Sequence, residues 1–394
     1  MTSSSFRCPS SSTRRGRRDN ARGGARKGGD GLRPSDLVNR RLCAQRISAT
    51  AFTRPADVVA WLGAVQAQDF LGALWAVGLR LTDAREREVE RALADRSVVR
   101  TWPLRGTLHL VAAADVRWIV ELLAPRVVAA AAGRFRALGL DDETMARARR
   151  AVVRRLQSGG PVTRRSLYDA LERAGVASSG QRGIHVLWRL AHEGVLCFGP
   201  REGKQQTFVL LDAWLPPSTR LRRDEALAEL ARRYFTSHGP ATLADFAWWS
   251  GLKAADARLA VHLAGERLEQ ERIGESVHWW GGAGDRPSRT GSRAYLLPAF
   301  DEFVVGYADR AAIVDRAGMR RVNTGGGILN PTIVAGGRVV GTWKRRITRA
   351  GVVFSPAPFV ALREPESRAV ATAMKRYARF LELEARANAS PARG

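Results

Sequence analysis

The chain has 394 residues, 45% of them apolar, which is enough for two or three domains with sizeable cores or for one elongated tandem array. Lys and Arg outnumber Asp and Glu by 64 to 38, a net charge of +26 that points to a polyanionic partner. The three cysteines, Cys8, Cys43 and Cys197, are scattered, which excludes a disulfide framework or a cysteine metal cluster and fits a reduced cytosolic setting.

Residues 1–33 are rich in Ser, Arg and Gly and should be disordered. They hold nine basic and two acidic residues, +7 in all, so +19 remains on the body. Such a tail would add non-specific affinity for phosphate backbones, or would follow from a start codon placed too early. The opening residues lack the apolar core of a signal peptide.

Helices are expected over 36–46, 55–65 and 86–93. Strands are expected over 98–103 and 107–111, with Arg105-Gly106 at the turn between them. The apolar run from Val58 to Val65 closes on Gln66-Ala67-Gln68-Asp69. Residues i and i+2 do not share a helix face, so these two amides can meet only where the backbone is extended or turning. The plain alternative is a polar helix end facing water. A helical stretch over 113–138 follows; Asp115, Arg117, Glu121 and Arg126 within it rule out a membrane span.

An internal echo comes next. Gly160-Pro161-Val162-Thr163 leads into a helix carrying Leu167 and Leu171. Gly239-Pro240-Ala241-Thr242, 79 residues on, leads into one carrying Phe246 and Trp249. Each threonine can cap its helix, and Asp245 occupies the reciprocal position for Thr242. An amphipathic helix precedes each copy, and a helix and strand-like residues follow. Helix, helix, helix and hairpin is the winged-helix plan, and 36–111 can be read the same way. From Tyr295 onward strand-like runs and glycine turns predict a small β-barrel or sheet, ending in a helix over 366–385. The expected fold is therefore α+β. A tail over 1–33 precedes winged helices over 34–140 (with a linker helix), 141–216 and 217–292, and a β-rich subdomain spans 293–394.

Four stretches follow one another in order: Gln66-Ala67-Gln68-Asp69, then Arg100-Thr101-Trp102-Pro103-Leu104-Arg105-Gly106-Thr107-Leu108-His109-Leu110, then Leu296-Leu297-Pro298-Ala299-Phe300-Asp301-Glu302-Phe303, then Gly341-Thr342-Trp343-Lys344-Arg345. In this order the chain resembles the bacterial winged-helix DNA glycosylase family that contains AlkZ and YcaQ, over roughly 36–386. The resemblance implies a monofunctional DNA glycosylase with Gln66 and Gln68 as catalytic residues. It also implies an open cleft around the duplex and a hairpin probing the minor groove. A glutamine amide cannot act as a base at neutral pH, but it can place a water. That suffices when the leaving base is already activated, as a cationic N7-alkylated purine is. Expected substrates are thus alkylated purines in double-stranded DNA, including interstrand crosslinks. No cofactor, metal or membrane is expected, and the protein should be a cytoplasmic, nucleoid-associated monomer.

Asp69 reads first as a turn cap and second as a stabiliser of positive charge on the sugar. Expected DNA contacts are Arg105, Thr107 and His109, then Arg201 and Lys204 on the 201–205 probe, then Lys344 and Arg345. Ordinary readings stand beside these: a packed structural histidine for His109, and a solvated wing for the probe. Asp301 and Glu302, read as adjacent strand residues, should face opposite ways, one of them toward the cleft. Trp248-Trp249 and Trp279-Trp280 could stack on bases, with one member of each pair in the core. His192-Glu193 lacks the second histidine of a zincin, and Gly325-Gly326-Gly327 lacks the residues of a phosphate loop. The rival function is a non-catalytic winged-helix regulator.

Overall fold

The computed structural model describes residues 34–218, 220–282 and 293–387. The tail expected over 1–33 lies outside the described residues.

The first region runs α1 (Pro34–Ala44), α2 (Pro55–Leu62), β1 (Val65–Gln66), α3 (Phe70–Gly78), α4 (Glu86–Ala94), β2 (Val98–Leu104) and β3 (Thr107–Ala112). Pro55 starts α2, where a missing N–H costs nothing, and Gly63 at φ 79° stops it. The strands form an antiparallel sheet in the order β1-β3-β2. Arg105 and Gly106 turn β2 into β3 with φ of 51° and 73°, the double left-handed geometry of a two-residue hairpin. Helix α3 escaped the sequence reading. Its nine residues are apolar throughout and buried from Gly72 to Gly78, so no polar face marks a helical period.

The helix expected over 113–138 breaks at Ala131 into α5 (Val116–Ala130) and α6 (Ala132–Ala137). The second region comprises α7 (Asp142–Gln157), β4 (Val162–Thr163), α8 (Arg164–Arg173), α9 (Arg182–His192), β5 (Leu196–Phe198) and β6 (Thr207–Leu210). A short α10 (Leu211–Trp214) leads on to α11 (Arg223–His238), α12 (Leu243–Ser250), α13 (Ala254–Ala264) and the hairpin β7 (Leu268–Ile273) and β8 (Ser276–Gly281). Both expected caps form. Thr163 accepts from the Ser166 N–H at 3.4 Å. Thr242 accepts from the Asp245 N–H at 3.1 Å, and Asp245 accepts from the Thr242 N–H at 2.9 Å.

The C-terminal region holds β9 (Ala294–Leu297), α14 (Glu302–Val305), α15 (Arg316–Val322), β10 (Thr332–Ala335), β11 (Arg338–Thr348), β12 (Gly351–Pro358), α16 (Glu364–Phe380) and β13 (Ala385–Ala387). Its five-stranded sheet has the order β13-β12-β11-β10-β9. The last helix ends at Phe380 rather than near 385, because the chain turns out of it to lay β13 parallel to β12.

Among the described residues apolar side chains gather in three cores. One joins the first region (Leu62, Leu74, Trp75) to the C-terminal sheet and helix (Ile333, Trp343, Tyr377). A second surrounds Tyr234, Phe246 and Trp249, and a third lies around Val152, Leu187 and Phe208. The mixed α+β architecture places β1 where the first and second cores meet: Val65 belongs to the first and Ala64 to the second.

Candidate active site

Val65 and Ala67 are fully buried in the first core. Side chains alternate along an extended backbone, so Gln66 turns the other way. It is 8% exposed, whereas Gln68, the next alternate residue, stands open to solvent. The Ala67 N–H donates to Leu108 O at 2.7 Å, which carries the pairing with β3 one residue past Gln66.

A closed ring of hydrogen bonds grips Gln66 at both ends. Its backbone N–H, on the open edge of β1, donates to Glu302 Oε1 at 3.0 Å. Glu302 Oε2 accepts from the Trp249 indole N–H at 3.0 Å. The Trp249 carbonyl accepts from Arg105 Nη1, and Arg105 Nη2 donates to Gln66 Oε1 at 3.1 Å. The ring closes over four distant segments, and Trp249 contributes both its indole and its carbonyl. Glu302 is wholly buried. Burial alone would raise its pKa, but the His238 ring, with Nε2 3.5 Å from Oε2, and the nearby Arg105 guanidinium hold it below the usual carboxylate range. A buried carboxylate therefore stays charged directly behind Gln66.

Asp301 and Glu302 do not lie on a strand. Asp301 caps α14, accepting from the Phe303 N–H at 3.0 Å, and Glu302 is the first residue of that helix. Both are fully buried. Asp301 pairs twice with Arg80, at 2.9 Å each time, and Glu302 is the one that reaches Gln66. The motif was visible in the sequence. The division of labour within it was not, because both partners lie more than 200 residues away.

The other expected residues divide. Asp69 caps α3, accepting from the Gly72 N–H at 3.1 Å; a Cβ on Gly72 would stand 2.6 Å from Asp69 Oδ2, so the cap needs glycine there. His109 is fully buried, which corrects its place among the DNA contacts. Its Nδ1 lies 2.9 Å from the Thr107 carbonyl, and burial together with the nearby Arg105 charge pulls its pKa to about 4. It is a neutral packed ring opposite Gln66 in the sheet. Thr107 Oγ1 donates to Leu104 O at 3.0 Å across the turn. Arg105 points inward to the ring described above. Arg201 and Lys204 stand exposed on the β5–β6 hairpin, whose turn is Gly203-Lys204 between Glu202 and Gln205. Lys344 is exposed on β11, and Arg345 lies over the Tyr377 ring at 5.2 Å. Trp249 is buried and Trp248 is 49% exposed, as expected for one member of that pair. Trp279 and Trp280 are both half-buried; Trp279 packs against the second core.

Among the described residues no group of three or more His, Cys, Asp and Glu could hold a metal ion, and no helix is long and apolar enough to cross a membrane.

The family model of the AlkZ-like DNA glycosylases matches residues 59–380. The interstrand DNA cross-link repair glycosylase of Streptomyces sahachiroi is 29% identical over 325 residues, covering 77% of this chain and 84% of that protein. The solved structure of the Streptomyces sahachiroi DNA glycosylase AlkZ superposes with a TM-score of 0.71 at 25% identity, covering 90% of this chain and 99% of that one. The matched span contains Gln66, Gln68, the Arg105 turn and the Asp301-Glu302 helix start, and this chain belongs to the AlkZ-like family of DNA glycosylases.

Proposed function

We propose that this glycosylase hydrolyses the N-glycosidic bond of cationic N7-alkylated purines in duplex DNA, interstrand crosslinks included, with Gln68 positioning the attacking water and Gln66 supporting it. The observation that carries the reading is the contrast between the two amides. Gln66 is fixed at its backbone and its side-chain oxygen, and Gln68 is open to solvent one alternation further along.

In this reaction the C1′–N9 bond breaks and its electron pair neutralises the cationic purine. Water adds to C1′ and releases a proton. The sugar passes through an oxocarbenium-like state, which needs a placed water and nearby negative charge. An amide supplies the first without titrating. The Glu302 carboxylate, charged behind Gln66, supplies the second. Because the leaving group is activated by its own charge, no strong base is required.

The three helix-and-hairpin regions act as tandem winged helices over 34–140, 141–216 and 217–292. They embrace the duplex as a monomer, with Arg201, Lys204, Lys344 and Arg345 on the DNA side. A regulator has no use for a clamped glutamine, and family membership removes that rival.

Gln68→Ala should abolish release of N7-methylguanine from DNA while duplex binding persists. Release assays on methylated, mustard-treated and crosslinked oligonucleotides test this. A wild-type protein that binds such DNA and frees no base overturns the substrate assignment.

A further inference from the structure

We propose that the cavity beneath the β5–β6 hairpin binds a backbone phosphate of the damaged DNA strand, gripped by Arg100 with Arg201 in its lining and Arg164 held nearby by the lining residue Gln206. The cavity measures about 270 Å³ and is lined by Phe70, Glu90, Arg100, Phe198, Pro200 and Arg201, among others. It lies between the hairpin and α4, against the first residue of α3.

Arg100 carries the inference. It is 5% exposed, yet among the described residues its guanidinium makes one hydrogen bond, from Nη2 to the Ala67 carbonyl at 2.8 Å. Its Nε is buried with no partner. It lies over the rings of Phe70 and Phe198, with ring centres at 5.4 and 4.8 Å. The charges acting on it are Arg201 and Arg164, both positive; burial first and then these two pull its pKa down to about 10. The one carboxylate of the lining, Glu90, is 47% exposed and sits 3.9 Å from Arg201 instead. Arg201 also lies over Phe70 at 4.9 Å, and Arg164 is steadied by Gln206 at 3.3 Å.

A buried cation with idle donors is costly unless an anion answers it. The planar guanidinium fork matches two oxygens of a phosphate, and the flanking arginines add charge without competing for the same donors. DNA is the source because the chain is a glycosylase and because of where the cavity lies. The carbonyl that Arg100 holds belongs to Ala67, between the two glutamines, so a phosphate caught there runs beside Gln68. The site rests on the duplex path of the proposed function and not on the chemistry assigned to Gln68; Gln68→Ala should leave this binding intact.

The test is the salt dependence of duplex binding together with single methylphosphonate replacements, which remove one phosphate charge at a time. Arg100→Met should reduce the slope of log Kd against log salt by about one, and Arg201→Ala by about one or less. One methylphosphonate near a 2′-fluoro-stabilised N7-methylguanine should cost the wild type about tenfold in affinity and Arg100→Met less than twofold, since the two changes remove the same contact. Arg201, on the exposed rim, keeps the slope measurable if Arg100→Met folds poorly. Unchanged slopes in both variants overturn the proposal, as does a methylphosphonate penalty equal in wild type and Arg100→Met. Saturation of the cavity by inorganic phosphate with no effect on DNA binding overturns it too, by making this a free-anion site.

Discussion

Two arginines of the first region are both nearly inaccessible to water, and they are treated in opposite ways. Arg80 has every one of its five N–H donors satisfied: Gln45 O, Ala76 O, Gln45 Oε1 and both oxygens of Asp301, all between 2.7 and 2.9 Å. Among the described residues Arg100 satisfies one. Arg80 ties α3 to the start of α14 and so fixes the helix that presents Glu302. Arg100 faces a cavity at the rim of the glutamine segment. A buried charge that is fully answered holds the fold together, and one that is not is waiting for a ligand.

The comparison breaks most visibly at Arg80. Arg80→Met strands Asp301 without its cation and should cost about 3–5 kcal/mol of stability, measured by urea denaturation. A loss below about 1 kcal/mol would mean that the pair is not structural.

His109 extends the comparison to a buried group kept neutral. Its pKa is near 4 folded and near 6.5 unfolded, so the unfolded chain takes up a proton first as pH falls. Its share of stability is intact above pH 6.5 and is lost progressively toward pH 4. The full span is about 3 kcal/mol, from a shift of roughly 2.5 units. His192 is held near 4 by burial in the same way, so His109→Gln should remove only part of the slope of stability between pH 7 and 4. An unchanged slope in that variant would show that His109 is protonated in the folded protein.

Asp69 gives a smaller effect. Removing the cap with Asp69→Ala should cost about 1 kcal/mol, and Asp69→Asn should recover most of it with base release intact. Loss of release in Asp69→Asn would place the carboxylate in the chemistry instead.

The smallest effect is expected at Arg100 itself. Arg100→Met removes an unanswered cation and should change stability by less than about 1 kcal/mol in either direction, against the large loss at Arg80.

The sequence carried the local part of this molecule. The Gln66–Gln68 spacing, the Asp69 cap, the Arg105-Gly106 turn and the Thr242–Asp245 box depend on a few neighbouring residues, and all were legible. Helix α3 was not, because a helix buried on every side leaves no polar rhythm. Nor were the partners of Arg80, Arg105 and Glu302. Residue types can suggest that a charge will be paired, but only the packing of segments up to 236 residues apart says with what. Arg100 opens the 100–110 stretch that carries the family resemblance, yet nothing local distinguishes an arginine left unpaired from its neighbours.

The ring around Gln66 also bears on how the enzyme comes into being. The ribosome makes the glutamine pair early, the Arg105 turn soon after, and Glu302 only in the last quarter of the chain. A nascent or truncated polypeptide that stops short of Glu302 thus carries the glutamine pair without the carboxylate that grips Gln66. Two co-expressed fragments split between Trp249 and Glu302 would have to reassemble before either could cut a base from DNA.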